Sequence, residues 1–202
     1  KNPKPGPNYD RAWAERCIEF NQSVLEFVRK SESIETVVLS SPMNQYVSKD
    51  WIHVLKANDG FSVVTPSVEI STEALRRTVA ELHAAGKKVV LITPPPSTDF
   101  NVGACLERLQ AGRIKLGASE NCAISVDSYR DKQSPVLALI QAAERLEVPV
   151  IRLSDFLCKA ETCDTMIDGT MLYRDGGHLS VDGSRLLATK MGWARLIEQQ
   201  AR

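Results

Sequence analysis

Asp175 and His178 stand three residues apart in Tyr173-Arg174-Asp175-Gly176-Gly177-His178-Leu179-Ser180. A carboxylate that orients an imidazole, and an imidazole that moves a proton, are two members of a serine–histidine–aspartate triad. In that chemistry His178 takes the proton of a serine hydroxyl and later returns it to a leaving alcohol. Asp175 holds the ring and stabilises the imidazolium. Gly176 and Gly177 leave the backbone free to turn. A carboxylate in such a loop also has a simpler use, bonding backbone amides as a cap. No nucleophile motif accompanies the pair in the 202 residues. The other two histidines, His53 beside Trp51 and His83 beside Leu82, lack such a setting and read as structural or solvated.

The five cysteines are the next residues able to do chemistry. Cys158 and Cys163 flank a polar loop, Lys159-Ala160-Glu161-Thr162, and Cys105 and Cys122 bracket a segment rich in Gly, Ser and Asn. Two loop-located pairs suggest two short-range disulfides and an oxidising compartment. Five reduced thiols in a cytosolic enzyme fit the spacing equally well. No histidine stands at finger-like spacing from either pair, so zinc is not indicated, and no metal-ligand cluster is visible.

The elements around these residues alternate. Residues 1–8 carry three prolines and a glycine and read as an extended lead-in. Trp13, Cys17, Phe20, Val24, Phe27 and Val28 recur at helical spacing, which predicts a long helix with one buried stripe. Thr36-Val37-Val38-Leu39 reads as a buried strand. Ser71 is the predicted cap of a helix with Leu75, Val79 and Leu82 inward, closed by Gly86. Lys88 to Thr93 is the clearest strand, stopped by Pro94-Pro95-Pro96. Ser134-Pro135 opens a helix with Val136, Ile140 and Ala143 inward. A strand follows over Val148–Leu153, and one last helix runs from Ser180 towards Ile197. Such alternation predicts an α/β fold with a parallel sheet, in which functional residues gather beyond the carboxyl ends of the strands. The length suits one domain spanning 1–202.

Composition narrows the function. Lys plus Arg and Asp plus Glu both number 25, so the net charge is zero. Nothing in that balance favours nucleic acid or an anionic membrane as partner. No apolar run approaches the ~20 residues that span a bilayer.

Six pieces carry a family likeness: Cys17-Ile18-Glu19-Phe20-Asn21; Val37-Val38-Leu39; Val89-Val90-Leu91-Ile92 running into Pro94-Pro95; Cys105-Leu106-Glu107-Arg108; Leu157-Cys158 with Cys163; and Leu172 to Asp175 with His178-Leu179-Ser180 and Gly183. Together they resemble the SGNH (GDSL-type) hydrolase superfamily. Within it they look most like the periplasmic SGNH domains fused to membrane-bound acyltransferase-3 proteins, which O-acylate bacterial surface polysaccharides. The resemblance implies a three-layer α/β/α sandwich, Asp175 and His178 as catalytic residues, and no cofactor. Its nucleophile belongs to a Gly-Asp-Ser motif at the end of a first strand. That motif is absent here, so an N-terminal piece, with a cysteine partner for Cys17, is expected upstream. The family's oxyanion loop corresponds to Ser40-Ser41-Pro42-Met43-Asn44. Asn44 is the candidate donor there, a turn-forming asparagine being the plainer reading, and the Arg-Trp pair frequent in that loop is absent. The implied activity is transfer of an acyl group, acetyl above all, to hydroxyls of a polysaccharide such as lipopolysaccharide O-antigen. The donor would come from a membrane acyltransferase domain of the same polypeptide, and the domain would sit in the periplasm, tethered to the inner membrane. A free-standing esterase or deacetylase, and a non-catalytic glycan- or partner-binding module, are the alternatives.

Overall fold

The computed structural model describes residues 10–51, 53–57, 60–113 and 121–201, so the expected lead-in over residues 1–8 lies outside the described residues. The chain begins with α1 (Arg11–Lys30), β1 (Thr36–Ser40) and α2 (Asn44–Val47). An antiparallel hairpin follows, β2 (His53–Ala57) and β3 (Gly60–Val64), then α3 (Val68–Ala84) and β4 (Lys88–Ile92). The middle of the chain holds α4 (Val102–Gln110), β5 (Ile124–Ser125), α5 (Val126–Lys132), α6 (Ser134–Arg145), β6 (Val150–Ile151) and α7 (Leu153–Leu157). Three two-residue strands come next, β7 (Thr162–Cys163), β8 (Met166–Ile167) and β9 (Thr170–Met171), and the chain closes with α8 (Val181–Met191) and α9 (Trp193–Gln200).

β1, β4 and β6 form a parallel sheet in that order. β4 lies in the middle and is apolar on both sides. Val89 and Leu91 face a core shared with α3 and α6, while Val90 and Ile92 face one built on α4, α5 and α7, with Leu187 of α8. A strand covered on both faces reads as a continuous apolar run, as this one does. The result is a three-layer α/β/α arrangement.

Several elements differ from the sequence reading. Ser67, not Ser71, caps α3 by accepting from the Ile70 N–H, and the Ser71 hydroxyl donates to the Tyr46 carbonyl. The strand expected over Val148–Leu153 shrinks to Val150–Ile151: Pro149 has no N–H to give to a ladder, and Leu153 already begins α7. The last helix breaks at Gly192, whose φ of 60° ends α8 before α9 starts. The largest correction concerns α1. Its predicted buried stripe is open: Phe20 and Phe27 are 68% and 66% exposed, and Trp13 and Val24 are exposed with them. Val28, at the end of the predicted stripe, and Leu25, outside it, make the contact with the core. β1 is likewise an edge strand rather than a buried one. Among the described residues it pairs on one side only, with β4, and Val38 is 40% exposed.

Candidate active site

Residues 172–180 fold back on themselves just before α8. The Ser180 N–H donates to the Leu172 carbonyl at 2.8 Å, and the Arg174 N–H donates to the His178 carbonyl at 3.0 Å. Tyr173 and Leu179 pair between them as an antiparallel bridge. The Ser180 hydroxyl donates to the Met171 carbonyl and accepts from the Gly183 N–H, so one side chain closes the loop and caps α8. Asp175, Gly176 and Gly177 occupy the tip. The loop after β4 braces that tip, with the Thr98 N–H donating to the Gly176 carbonyl at 2.8 Å. The tip therefore lies beyond the carboxyl end of the central strand.

Asp175 bonds both backbone amides and the His178 ring. Its Oδ1 accepts from the backbone N–H groups of Gly177 at 2.9 Å and His178 at 2.8 Å. The His178 Nδ1 lies 3.0 Å from Oδ1 and 2.9 Å from Oδ2. Arg174 adds a looser contact at 3.3 Å from Oδ2. Burial opposes the charge on Asp175, but the two N–H groups and the His178 ring outweigh it and hold the carboxyl at about 2. An ionised Asp175 makes Nδ1 the proton-bearing nitrogen of a neutral ring, which leaves Nε2 as its hydrogen-bond acceptor. The His178 side chain is 59% exposed, and among the described residues no hydroxyl or thiol bonds to Nε2.

Asn44 opens α2, past the carboxyl end of the neighbouring strand β1. It is exposed, its N–H donates to the Pro42 carbonyl, and no hydrogen bond among the described residues links it to Asp175 or His178. Disulfides join Cys105 to Cys122 and Cys158 to Cys163. Cys105 lies on α4 rather than in a loop, so the first bridge ties a helix to the segment before β5. Cys17 is free. His83 points outward from the last turn of α3. His53 sits on β2 with its Nε2 buried and unpartnered among the described residues. Desolvation lowers its pKa, against the opposing pull of the Gln45 backbone. It lines a cavity of about 490 Å³ with Leu39, Leu75, Leu139 and Ile140, which Asp175 and His178 do not reach. No group of three or more His, Cys, Asp or Glu among the described residues is arranged to hold a metal ion.

Sequence reasoning missed Tyr173, Gly103 and Thr98 as parts of this site. Tyr173 is 1% exposed and roots the loop in the core. Its hydroxyl has no partner among the described residues, and burial pushes its pKa up. The site's position before a capped helix was the available signal for Tyr173. Gly103 of α4 packs on the Arg174 backbone and Thr98 bonds Gly176, contacts across 70 to 80 residues that leave no signal for those two.

A parallel sheet between helical layers, with an acid–imidazole pair beyond its carboxyl edge, defines a three-layer α/β domain. The family model described as "SGNH domain (fused to AT3 domains)" matches residues 3–192, and the chain belongs to that family. Among solved structures it is similar to the periplasmic domain of the lipopolysaccharide acetyltransferase of Salmonella ser. Paratyphi A, with a TM-score of 0.59 at 16% identity over 89% of this chain. That likeness shows the shared fold. The chain spans 63% of the length of that solved relative. No curated protein matches it.

Proposed function

We propose that these residues are the SGNH part of an O-acyltransferase that acts on hydroxyls of a bacterial surface polysaccharide, with Asp175 and His178 as its acid and base. The observation that carries this reading is the hydrogen-bonded Asp175–His178 pair in a chain whose family is fused to AT3 domains. His178 Nε2 would accept the proton of a serine hydroxyl as the serine oxygen bonds to the acyl carbon, and would pass that proton to the departing donor group. The acyl-serine would then be attacked by a sugar hydroxyl, deprotonated by the same imidazole, and the serine oxygen would regain its proton. The acyl donor would come from a membrane acyltransferase domain in the same polypeptide. Acetyl is the proposed acyl group, on the strength of the acetyltransferase named above.

The reading requires a serine from outside the 202 residues. Support comes from the outer edge of β1, which no strand among the described residues covers, and from the open apolar stripe of α1. Asn44 is the proposed oxyanion donor, supported by its place beyond the carboxyl end of β1. A periplasmic site tethered to the inner membrane is proposed from the two disulfides and the periplasmic relative. Among the described residues no helix is long and apolar enough to cross a membrane, so the tether would lie elsewhere in the polypeptide. The chemistry requires no cofactor.

The test is His178→Ala in the complete protein, with O-acetyl content of the surface glycan read by proton NMR. A fall of at least ~100-fold in transfer rate is expected; full retention overturns the assignment. The free Nε2 also favours a second reading, a domain that binds glycan without catalysis. Under that reading His178→Ala leaves both acylation and glycan binding intact.

A further inference from the structure

Three glycines mark where the segment bearing Asp175 and His178 is pressed against the rest of the fold. A Cβ on Gly103 of α4 would lie 2.3 Å from the carbonyl oxygen of Arg174. A Cβ on Gly176 would lie 2.7 Å from the Thr98 carbonyl oxygen and 2.8 Å from that of Phe100. A Cβ on Gly183 of α8 would lie 2.4 Å from the Leu172 carbonyl oxygen. All the obstructing atoms belong to backbone, so none can swing aside as a side chain would. None of these glycines has a left-handed φ; their requirement is for space. Gly177, the neighbour of Gly176, is different: its Cβ would make an ordinary 3.4 Å contact with the Ser97 Cβ.

The helix behind the segment is itself held. Cys105, two residues beyond Gly103, is bonded to Cys122. The Cys122 carbonyl accepts from the buried Thr165 hydroxyl at 3.1 Å, and the Thr165 carbonyl accepts from the Leu172 N–H at 2.9 Å. Residues 172–174 are thus fixed from α4 along two routes, by direct contact at Gly103 and through the disulfide and Thr165.

We propose that Gly103 and Gly176 are positioning residues for the acid–base pair: they let α4 and the 97–100 loop close on the backbone from two sides, setting Asp175 where it receives two N–H groups and the imidazole together. The proposal rests on the reading above for the role of the pair, but its geometry is testable without activity.

The experiment is a ¹³C NMR titration of the Asp175 carboxyl in the protein, in Gly176→Ala and in Gly177→Ala. Gly176→Ala is expected to separate the tip from the 97–100 loop and weaken the bonds at Asp175. Its midpoint then rises from about 2 towards the ordinary 3.8, while Gly177→Ala stays near the parent value. A folded Gly176→Ala with an unmoved midpoint, or an equal rise in both variants, overturns the proposal. Should Gly176→Ala not fold, amide exchange in the unsubstituted protein decides. The Gly177 and His178 amides are expected to exchange within ~10-fold of the Cys105 amide of α4. Exchange ~100-fold faster would mean that the tip opens independently of α4, and the proposal fails. Loss of the catalytic reading leaves these outcomes unchanged, so the two failures are distinguishable.

Discussion

The 172–180 loop and the α1–β1 edge both pack apolar residues against the core, yet they differ in what completes them. In the loop, Leu172 and Tyr173 are fully buried, and the backbone of Leu172, Arg174, Gly176, Gly177, His178 and Ser180 is hydrogen-bonded to named partners. At the edge, Trp13, Phe20, Val24 and Phe27 share one open stripe, and β1 has no partner beyond β4 among the described residues. Local bonds shape the loop, and contacts from Thr98, Thr165 and α4 hold it in place. Apolar periodicity states only that a face needs cover, and the cover is a separate matter.

The sharpest way to break this comparison is to truncate one apolar side chain in each region. Leu172→Ala removes a fully buried side chain beneath the site and should cost about 2–5 kcal/mol in urea denaturation. Phe20→Ala should change stability by less than about 0.5 kcal/mol, because its ring is already in water. Similar costs at the two positions would mean that the α1 stripe is covered in solution.

A smaller effect separates the two disulfides. Cys105–Cys122 spans 17 residues and backs the loop through α4; Cys158–Cys163 spans 5. Chain entropy assigns about 3 kcal/mol to the longer closure and about 2 kcal/mol to the shorter. Replacing Cys105 and Cys122 with alanine should therefore lower the urea midpoint more than replacing Cys158 and Cys163. The reverse order would show that α4 does not carry the loop.

The same distinction between local and distant completion governs what was readable beforehand. Lys88–Ile92 announces a doubly covered strand by its apolar run, and Ser134-Pro135 announces the start of α6 by its fixed φ. The approach of Asp175 to His178 needs only a three-residue turn, so it is legible as a motif. The packing of Gly103 on Arg174, and of the 97–100 loop on Gly176, joins residues 70 to 80 apart and leaves no local trace. The hairpin of β2 and β3 gave little signal because apolar and polar residues are paired across it, Leu55 with Ser62 and Lys56 with Phe61. On α1 the periodicity was correctly seen, but two adjacent apolar stripes compete. Val28 makes the contact as the pattern required, joined by Leu25 from beside it, while Phe20 and Phe27 stay exposed.

The smallest effect tests the charge at the heart of the completed region. Asp175 is held at about 2 in the folded protein, below its ordinary 3.8. A depressed carboxyl stabilises the fold above the unfolded value, and that contribution disappears as pH falls from about 4 through about 2. The Asp175 side chain is 35% exposed, so solvent screening limits the effect to about 1 kcal/mol. Asp175→Asn should thus melt a few degrees below the parent protein at pH 7, and the gap should close between pH 4 and pH 2. Other carboxylates titrate equally in both proteins, so the difference isolates Asp175. A gap that stays constant down to pH 2 would assign the loss to packing. The ionic contacts of the loop tip would then matter less than its buried root, and the contrast with the α1 edge would rest on Leu172 and Tyr173 alone.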